Sequence, residues 1–293
     1  MRLPSPTALL ALPLVLLAGA VHGAAPVSAA APPTARPAPF APPVAAPPPV
    51  VAEALPEYRF TGAGFDACSA PSAAAMSAWR TASPYGAVNI YSSGSQRHCE
   101  QKQLTPEWVA TVRAMGWKLV PTHVGLQAPC AERDDKPLRI DPDRAEEQGG
   151  EEAGEAAAAL QALGLGPGSP VYLDMEAYPT GDEVCSRAVV DFTVGWTEAL
   201  HAAGYRSGFY SSVNSGIADV VAAARDGRAP MPDAIWYARW DGRPTTTGQA
   251  GLPDDLWTHH RIHQYRGGAD ETYGGVTLNV DRDALDGLVA GGS

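Results

Sequence analysis

Apolar and polar residues alternate with a period of two through Val171-Tyr172-Leu173-Asp174-Met175-Glu176-Ala177-Tyr178, just after Pro170 and the Gly166/Gly168 pair. This pattern predicts a short strand, with Tyr172, Asp174 and Glu176 on one face and Leu173 and Met175 on the other. Similar strand-like runs occupy residues 62–68, 87–92, 118–124, 205–212, 234–240, 261–265 and 276–281. Helical patterns lie between several of them. Thr105-Pro106-Glu107 reads as an N-cap followed by proline at the first helical position, and Gly116 closes that helix. Ser186 can cap a long helix running to Gly204. Residues 151–163 are Ala-rich with acids in the first turn, where they complement the helix dipole. Eight strands alternating with helices predict an α/β fold, a closed and parallel (β/α)8 TIM-type barrel. The charged segment 131–150 is long for a barrel connection and is either functional or mobile.

The amino-terminal region has a different pattern. Arg2 precedes an apolar run over residues 8–21, with small residues around Gly23 and at Val27-Ser28-Ala29. The run is short for a bilayer span and predicts a signal peptide over residues 1–29. Residues 30–56 are almost only Ala, Pro and Val, a composition that predicts an extended, polyproline-like linker. The remaining stretch, 57–293, is about 235 residues, a common size for one β/α barrel.

A net charge of −11 argues against nucleic acid as a partner, because phosphate binding needs clustered Lys and Arg. The acids fall in a pattern of their own. Asp66, Asp174, Glu176, Asp241 and Asp281 each stand at or just beyond the end of a predicted strand. In a β/α barrel those ends form the active-site face. An isolated Asp-x-Glu also suits a hydrated strand end, but acids from several strands converging on one mouth suit acid/base chemistry. Like charges brought together push their pKa values apart. Tyr178, Tyr210, Trp240, Gln264 and Tyr265 are further candidates for lining such a mouth, the aromatic ones as stacking faces for sugar rings.

Gly64-Phe65-Asp66, Tyr172-Leu173-Asp174-Met175-Glu176, Trp236-Tyr237-Ala238 with Asp241, His263-Gln264-Tyr265 and Asn279-Val280-Asp281 resemble the motifs of family-25 lysozymes, the β/α-barrel muramidases. The closer resemblance is to a secreted bacterial glycoside-hydrolase-like barrel domain of unknown function. It is carried by Gly64-Phe65-Asp66-Ala67-Cys68-Ser69-Ala70-Pro71-Ser72, Gly125-Leu126-Gln127-Ala128-Pro129-Cys130 and Leu173-Asp174-Met175-Glu176-Ala177-Tyr178. The resemblance implies Glu176 as general acid. It implies Asp174 as the group that stabilises the anomeric centre or orients a substrate acetamido group, and Asp66 and Asp281 as further active-site carboxylates. Asp241 matches more weakly. The residues after Ser69 and the pair Arg282-Asp283 depart from the lysozyme pattern, which leaves the substrate more open than the reaction.

Four cysteines in a secreted chain predict two disulfides, and sequence alone allows three connectivities. All four follow predicted strands one to four, so they share the active-site face; Cys99 with Cys130 and Cys68 with Cys185 is the expected pairing. There is no Cys-x-x-Cys or metal-spaced His, so neither a structural metal nor a cofactor is expected. Gly164-x-Gly166-x-Gly168 precedes a strand instead of following one, unlike a dinucleotide loop, and no Gly-x-Ser-x-Gly elbow occurs. The expected protein is a secreted or cell-wall-associated monomer with no membrane segment after leader removal, acting on cell-wall glycan or another polysaccharide. Two alternatives stand beside it, a non-catalytic barrel that binds wall glycan and a hydrolase whose clustered carboxylates hold a hard cation.

Overall fold

A computed structural model describes residues 55–291. The leader and nearly all of the linker read from the sequence lie outside the described residues. The elements run in the order β1 (Arg59–Asp66), α1 (Ala73–Ala82), β2 (Tyr85–Ser93), α2 (Pro106–Ala114), β3 (Lys118–His123), α3 (Ala145–Ala162) and β4 (Pro170–Asp174). They continue with α4 (Glu183–Ala202), β5 (Arg206–Ser212), α5 (Gly216–Arg225), β6 (Ala234–Ala238), β7 (Arg261–Tyr273) and β8 (Val276–Leu288). The eight strands close in sequence order into a barrel.

The barrel has the expected closure and a different last quarter. From β1 to β7 neighbouring strands are parallel, but β8 pairs antiparallel with both β7 and β1. Only a short turn separates β7 from β8, too short for the crossover that a parallel pair requires. No helix separates β6 from β7 either. The fold is therefore an α/β barrel with eight strands and, among the described residues, five helices.

Period two sorts the strands' side chains into two layers. Ala87, Val120, Tyr172, Ala234, Trp236, Ile262 and Leu285 form one cluster that fills the barrel interior. Their neighbours in sequence, among them Val88, Leu119, Val171, Leu173 and Ile235, join the larger cluster beneath the helices. The central strands thus bury both faces, as a barrel requires, while the outer half of β7 exposes one of its faces.

Two helices start elsewhere than the sequence suggests. Asp182, not Ser186, caps α4; its Oδ1 accepts from the backbone N–H groups of Val184 (2.9 Å) and Cys185 (3.1 Å). The helix α3 begins at Ala145 and runs straight through Gly149-Gly150. These glycines let α3 approach α4 closely. A Cβ on Gly149 would stand 2.1 Å from the Phe192 carbonyl oxygen, and one on Gly195 would stand 1.9 Å from that of Glu146. The segment before α3 shortens accordingly.

The disulfides differ from the expected pairing. They join Cys68 to Cys99 and Cys130 to Cys185, with Cα–Cα separations of 5.7 and 5.8 Å. The reason lies in the strand order: the loops after β1 and β2 are neighbours, as are those after β3 and β4. A Cys68–Cys185 bridge would have to cross from the first strand's loop to the fourth's.

Candidate active site

A cavity of about 430 Å³ opens at the carboxyl ends of the parallel strands. Asp66 ends β1 and Asp174 ends β4, and both are 5% exposed. Glu176 lies two residues beyond the end of β4, which stops earlier than its apolar pattern suggests. The Gln127 side chain secures this turn, its Oε1 accepting from the Glu176 N–H at 2.9 Å and its Nε2 donating to the Asp174 carbonyl at 2.9 Å. Asp281 arrives from the middle of β8 instead of a strand end, because the antiparallel register sets it opposite Asp66.

Gln264 ties the two sides of the mouth together. Its Nε2 donates to Asp66 Oδ2 (3.0 Å) and Asp281 Oδ2 (3.3 Å). Its Oε1 accepts from the Tyr210 hydroxyl (3.1 Å) and Trp240 Nε1 (3.0 Å). The Gly268 N–H also donates to Asp281 Oδ1. Trp240 is 68% exposed at the rim and packs against Gly267, where a Cβ would come within 2.4 Å of its ring.

Four aspartates here, Asp66, Asp174, Asp281 and Asp283, are tuned upward. Burial, reinforced by the charge of Asp281, pushes Asp66 up to about 7 against the hydrogen bonds of Gln264 and Asp283. Burial pushes Asp174 up to about 6, with Lys136 opposing. Asp281 is raised, chiefly by burial. Asp283, buried one alternation deeper on β8, is raised well above the usual range by burial and by Asp66. Desolvation disfavours the charged form of each, and their mutual repulsion adds to it.

Of the residues singled out in the sequence, Asp66, Asp174, Glu176, Asp281, Tyr210, Trp240 and Gln264 line this cavity. Tyr178, Asp241 and Tyr265 stand away from it. Tyr178 is buried, with its hydroxyl donating to Asp219 Oδ2 at 2.6 Å. The Oδ1 of Asp241 accepts from the Arg243 N–H at 2.9 Å within its own loop. Tyr265 is adjacent to Gln264 in β7 and so faces the other side of the sheet, beside His263.

Several cavity residues escape sequence reading, among them Tyr91, Arg133 and Lys136. Tyr91 lies two residues beyond Asn89 on β2, a position that alternation alone could have marked. Arg133 and Lys136 come from the charged segment before α3. Arg133 Nη1 donates to Glu176 Oε2 at 3.1 Å. Lys136 Nζ donates to Glu176 Oε1 and, at 3.5 Å, to Asp174 Oδ2. Nothing in their spacing announces these contacts. Among the described residues no group of three or more His, Cys, Asp or Glu side chains is arranged to hold a metal ion; the Lys136 ammonium bridges the Asp174–Glu176 pair instead.

A second constellation of nucleophile-like residues is structural. The Ser93 hydroxyl bonds His123 Nδ1 at 2.8 Å, and His123 Nε2 bonds Glu152 Oε2 at 2.5 Å. Ser93 and His123 are buried, and the contact joins β2 and β3 to α3.

A closed α/β barrel whose mouth gathers a carboxylate pair and two further acids defines a glycoside-hydrolase-like protein. The chain belongs to the family described as Rv2525c-like, glycoside hydrolase-like domain, whose model matches residues 77–285. Solved structures share the fold at low sequence identity. The Mycobacterium tuberculosis Tat-secreted protein Rv2525c is 16% identical over 76% of this chain and 95% of its own, with a TM-score of 0.50. The Clostridium perfringens spore cortex lytic enzyme SleM is 15% identical over 77% of this chain and 67% of its own, also with a TM-score of 0.50. An uncharacterized B. stearothermophilus protein is 18% identical over 77% of this chain and 99% of its own, with a TM-score of 0.49. No curated protein matches the chain in sequence. Among the described residues, no helix is long and apolar enough to cross a membrane.

Proposed function

We propose that this protein is a secreted glycoside hydrolase acting on a peptidoglycan-like glycan of the cell envelope, by carboxylate acid/base catalysis and without a cofactor. The observation that carries this reading is the Asp174–Glu176 pair at the rim of a cavity shared with Asp66 and Asp281. Glu176 is the proton donor to the leaving oxygen. Asp174 stabilises positive charge at the anomeric carbon or orients an acetamido group; its Oδ1 is buried and has no hydrogen-bond partner. Two disulfides support an oxidising, extracellular compartment. The family's glycoside hydrolase-like character supports the reaction class. A barrel shared with a spore cortex lytic enzyme supports an envelope polymer as the substrate. The leader over 1–29 and the linker over 30–56 complete the proposed layout, with the barrel as a monomer.

The test is release of reducing ends from purified wall glycan by the parent and by Glu176→Gln at matched folding, across pH. Release by the parent alone, with an acid limb in its profile, supports the assignment. If both proteins bind the glycan and neither releases anything, the protein is a wall-binding barrel instead.

A further inference from the structure

Acids outnumber cations at the mouth of the barrel, and among the described residues that line it Lys136 is the one buried cation, 6% exposed. Burying a lysine ammonium is costly unless its partners are fixed. Here they are fixed from both sides. Asp174 ends β4 and Glu176 hangs from Gln127, while Lys136 sits on a loop with a core of its own. That core is the Arg139 guanidinium, which donates to the carbonyls of Ala131 (3.1 Å), Arg133 (2.8 Å) and Lys136. The Cys130–Cys185 disulfide ties the start of the loop to α4. Gln96 ties down its far end, accepting from the Leu138 N–H at 2.7 Å and donating to the Leu138 carbonyl at 3.1 Å.

We propose that Lys136 is a positioning residue of the site: the 131–139 loop is a braced arm that sets its ammonium between Asp174 and Glu176, orienting both carboxyls and balancing their charge. Asp174 Oδ2 is turned to Lys136, while its Oδ1 is buried without a hydrogen-bond partner. The electrostatics agree with this geometry. Burial lowers the Lys136 ammonium, but Asp174 and Glu176 outweigh it and leave it above the usual lysine value. Conversely, Lys136 holds Asp174 down against burial. The other charged or titratable groups around Asp174 are Glu176 beside it, Arg133 on the arm, Asp66 on β1, Tyr91 on β2 and Tyr210 on β5. Of these, Arg133 alone is cationic, and it is partly exposed.

The experiment uses the full chain with ¹³C-labelled aspartate and compares parent, Lys136→Met and Lys136→Arg. In Lys136→Met the Asp174 carboxyl resonance should titrate about one pH unit or more higher than in the parent, the size expected for losing an opposite charge at this range. Lys136→Arg should restore most of that difference. An unchanged Asp174 titration in a folded Lys136→Met overturns the proposal. This part does not depend on turnover. The second part rests on the glycosidase reading: the acid limb of glycan cleavage should move upward with Asp174, and activity near neutral pH should fall about tenfold or more. Faster cleavage by Lys136→Met across the whole pH range also overturns the proposal, since it would make Lys136 a plug to be displaced.

Discussion

Asp66 and Asp281 are register partners across the antiparallel β1–β8 pair and share a single amide donor, Gln264 Nε2. Folding raises the Asp66 carboxyl to about 7, so the native state favours its protonated form. Its contribution is therefore most favourable below the unfolded pKa and is lost as pH rises through about 7. Asp66→Asn should accordingly stabilise the protein at pH 8, on the order of 2 kcal/mol, and change little at pH 4. Thermal unfolding of both proteins at the two pH values checks this. Equal melting-temperature differences at both would contradict a raised carboxyl.

The α3–α4 crossing depends on hydrogen atoms where other residues carry methyl groups. Gly195→Ala drives a Cβ into the Glu146 carbonyl, and backbone on both sides limits relaxation. Denaturant unfolding should show a loss of about 3 kcal/mol. A loss below about 0.5 kcal/mol would mean that the helices stand farther apart.

Peptide mapping under non-reducing conditions should recover Cys68 linked to Cys99 and Cys130 linked to Cys185. Replacing both Cys130 and Cys185 by Ala should cost about 3 kcal/mol, because the bond closes a long loop of the unfolded chain. The variant should also hold the 131–139 loop less firmly, read as faster amide exchange there than in the parent.

At the opposite end of the barrel, Asp233 receives His201 Nε2 at 2.8 Å, Arg206 Nη1 at 3.3 Å and the Ser207 N–H at 2.8 Å. Burial opposes its charge, but these donors outweigh burial and hold it below the usual aspartate value. Its contribution is present above its unfolded pKa and lost as pH falls through the folded one. The hydrogen bond with Asp233 raises His201, whose contribution is full below its unfolded pKa and lost as pH rises through the folded one. Asp233→Asn should therefore cost most near pH 6, about 2 kcal/mol, and less at pH 3 and at pH 9. A cost that is flat with pH would show that the ion pairs contribute nothing.

The barrel and its main acids were legible because alternation is a local property. Tyr172, Asp174, Gln264 and Asp281 follow from counting by two along strands whose apolar content is plain. Tyr265 shows the same rule at work, since one of two adjacent strand residues has to face away from its neighbour's side. Asp283 obeys it too, two positions from Asp281. The reversal of β8 was hidden, because a pattern of two reads the same in either direction along the chain. Lys136 and Arg133 were hidden for another reason: their loop takes its path from Arg139, Gln96 and a disulfide, which are tertiary contacts without a period. The cysteine pairing followed the order of the strands and not the spacing of the residues.

The reversed last strand also decides where the described chain enters and leaves. Val289 N–H bonds the Tyr58 carbonyl and Ala290 N–H that of Leu119, while Arg206 donates to the carbonyls of Leu55 and Pro56. Entry and exit therefore share the face remote from the carboxylates. The molecule has a handle side and a working side, so a label or fusion joined at either end of the barrel starts well clear of the cavity.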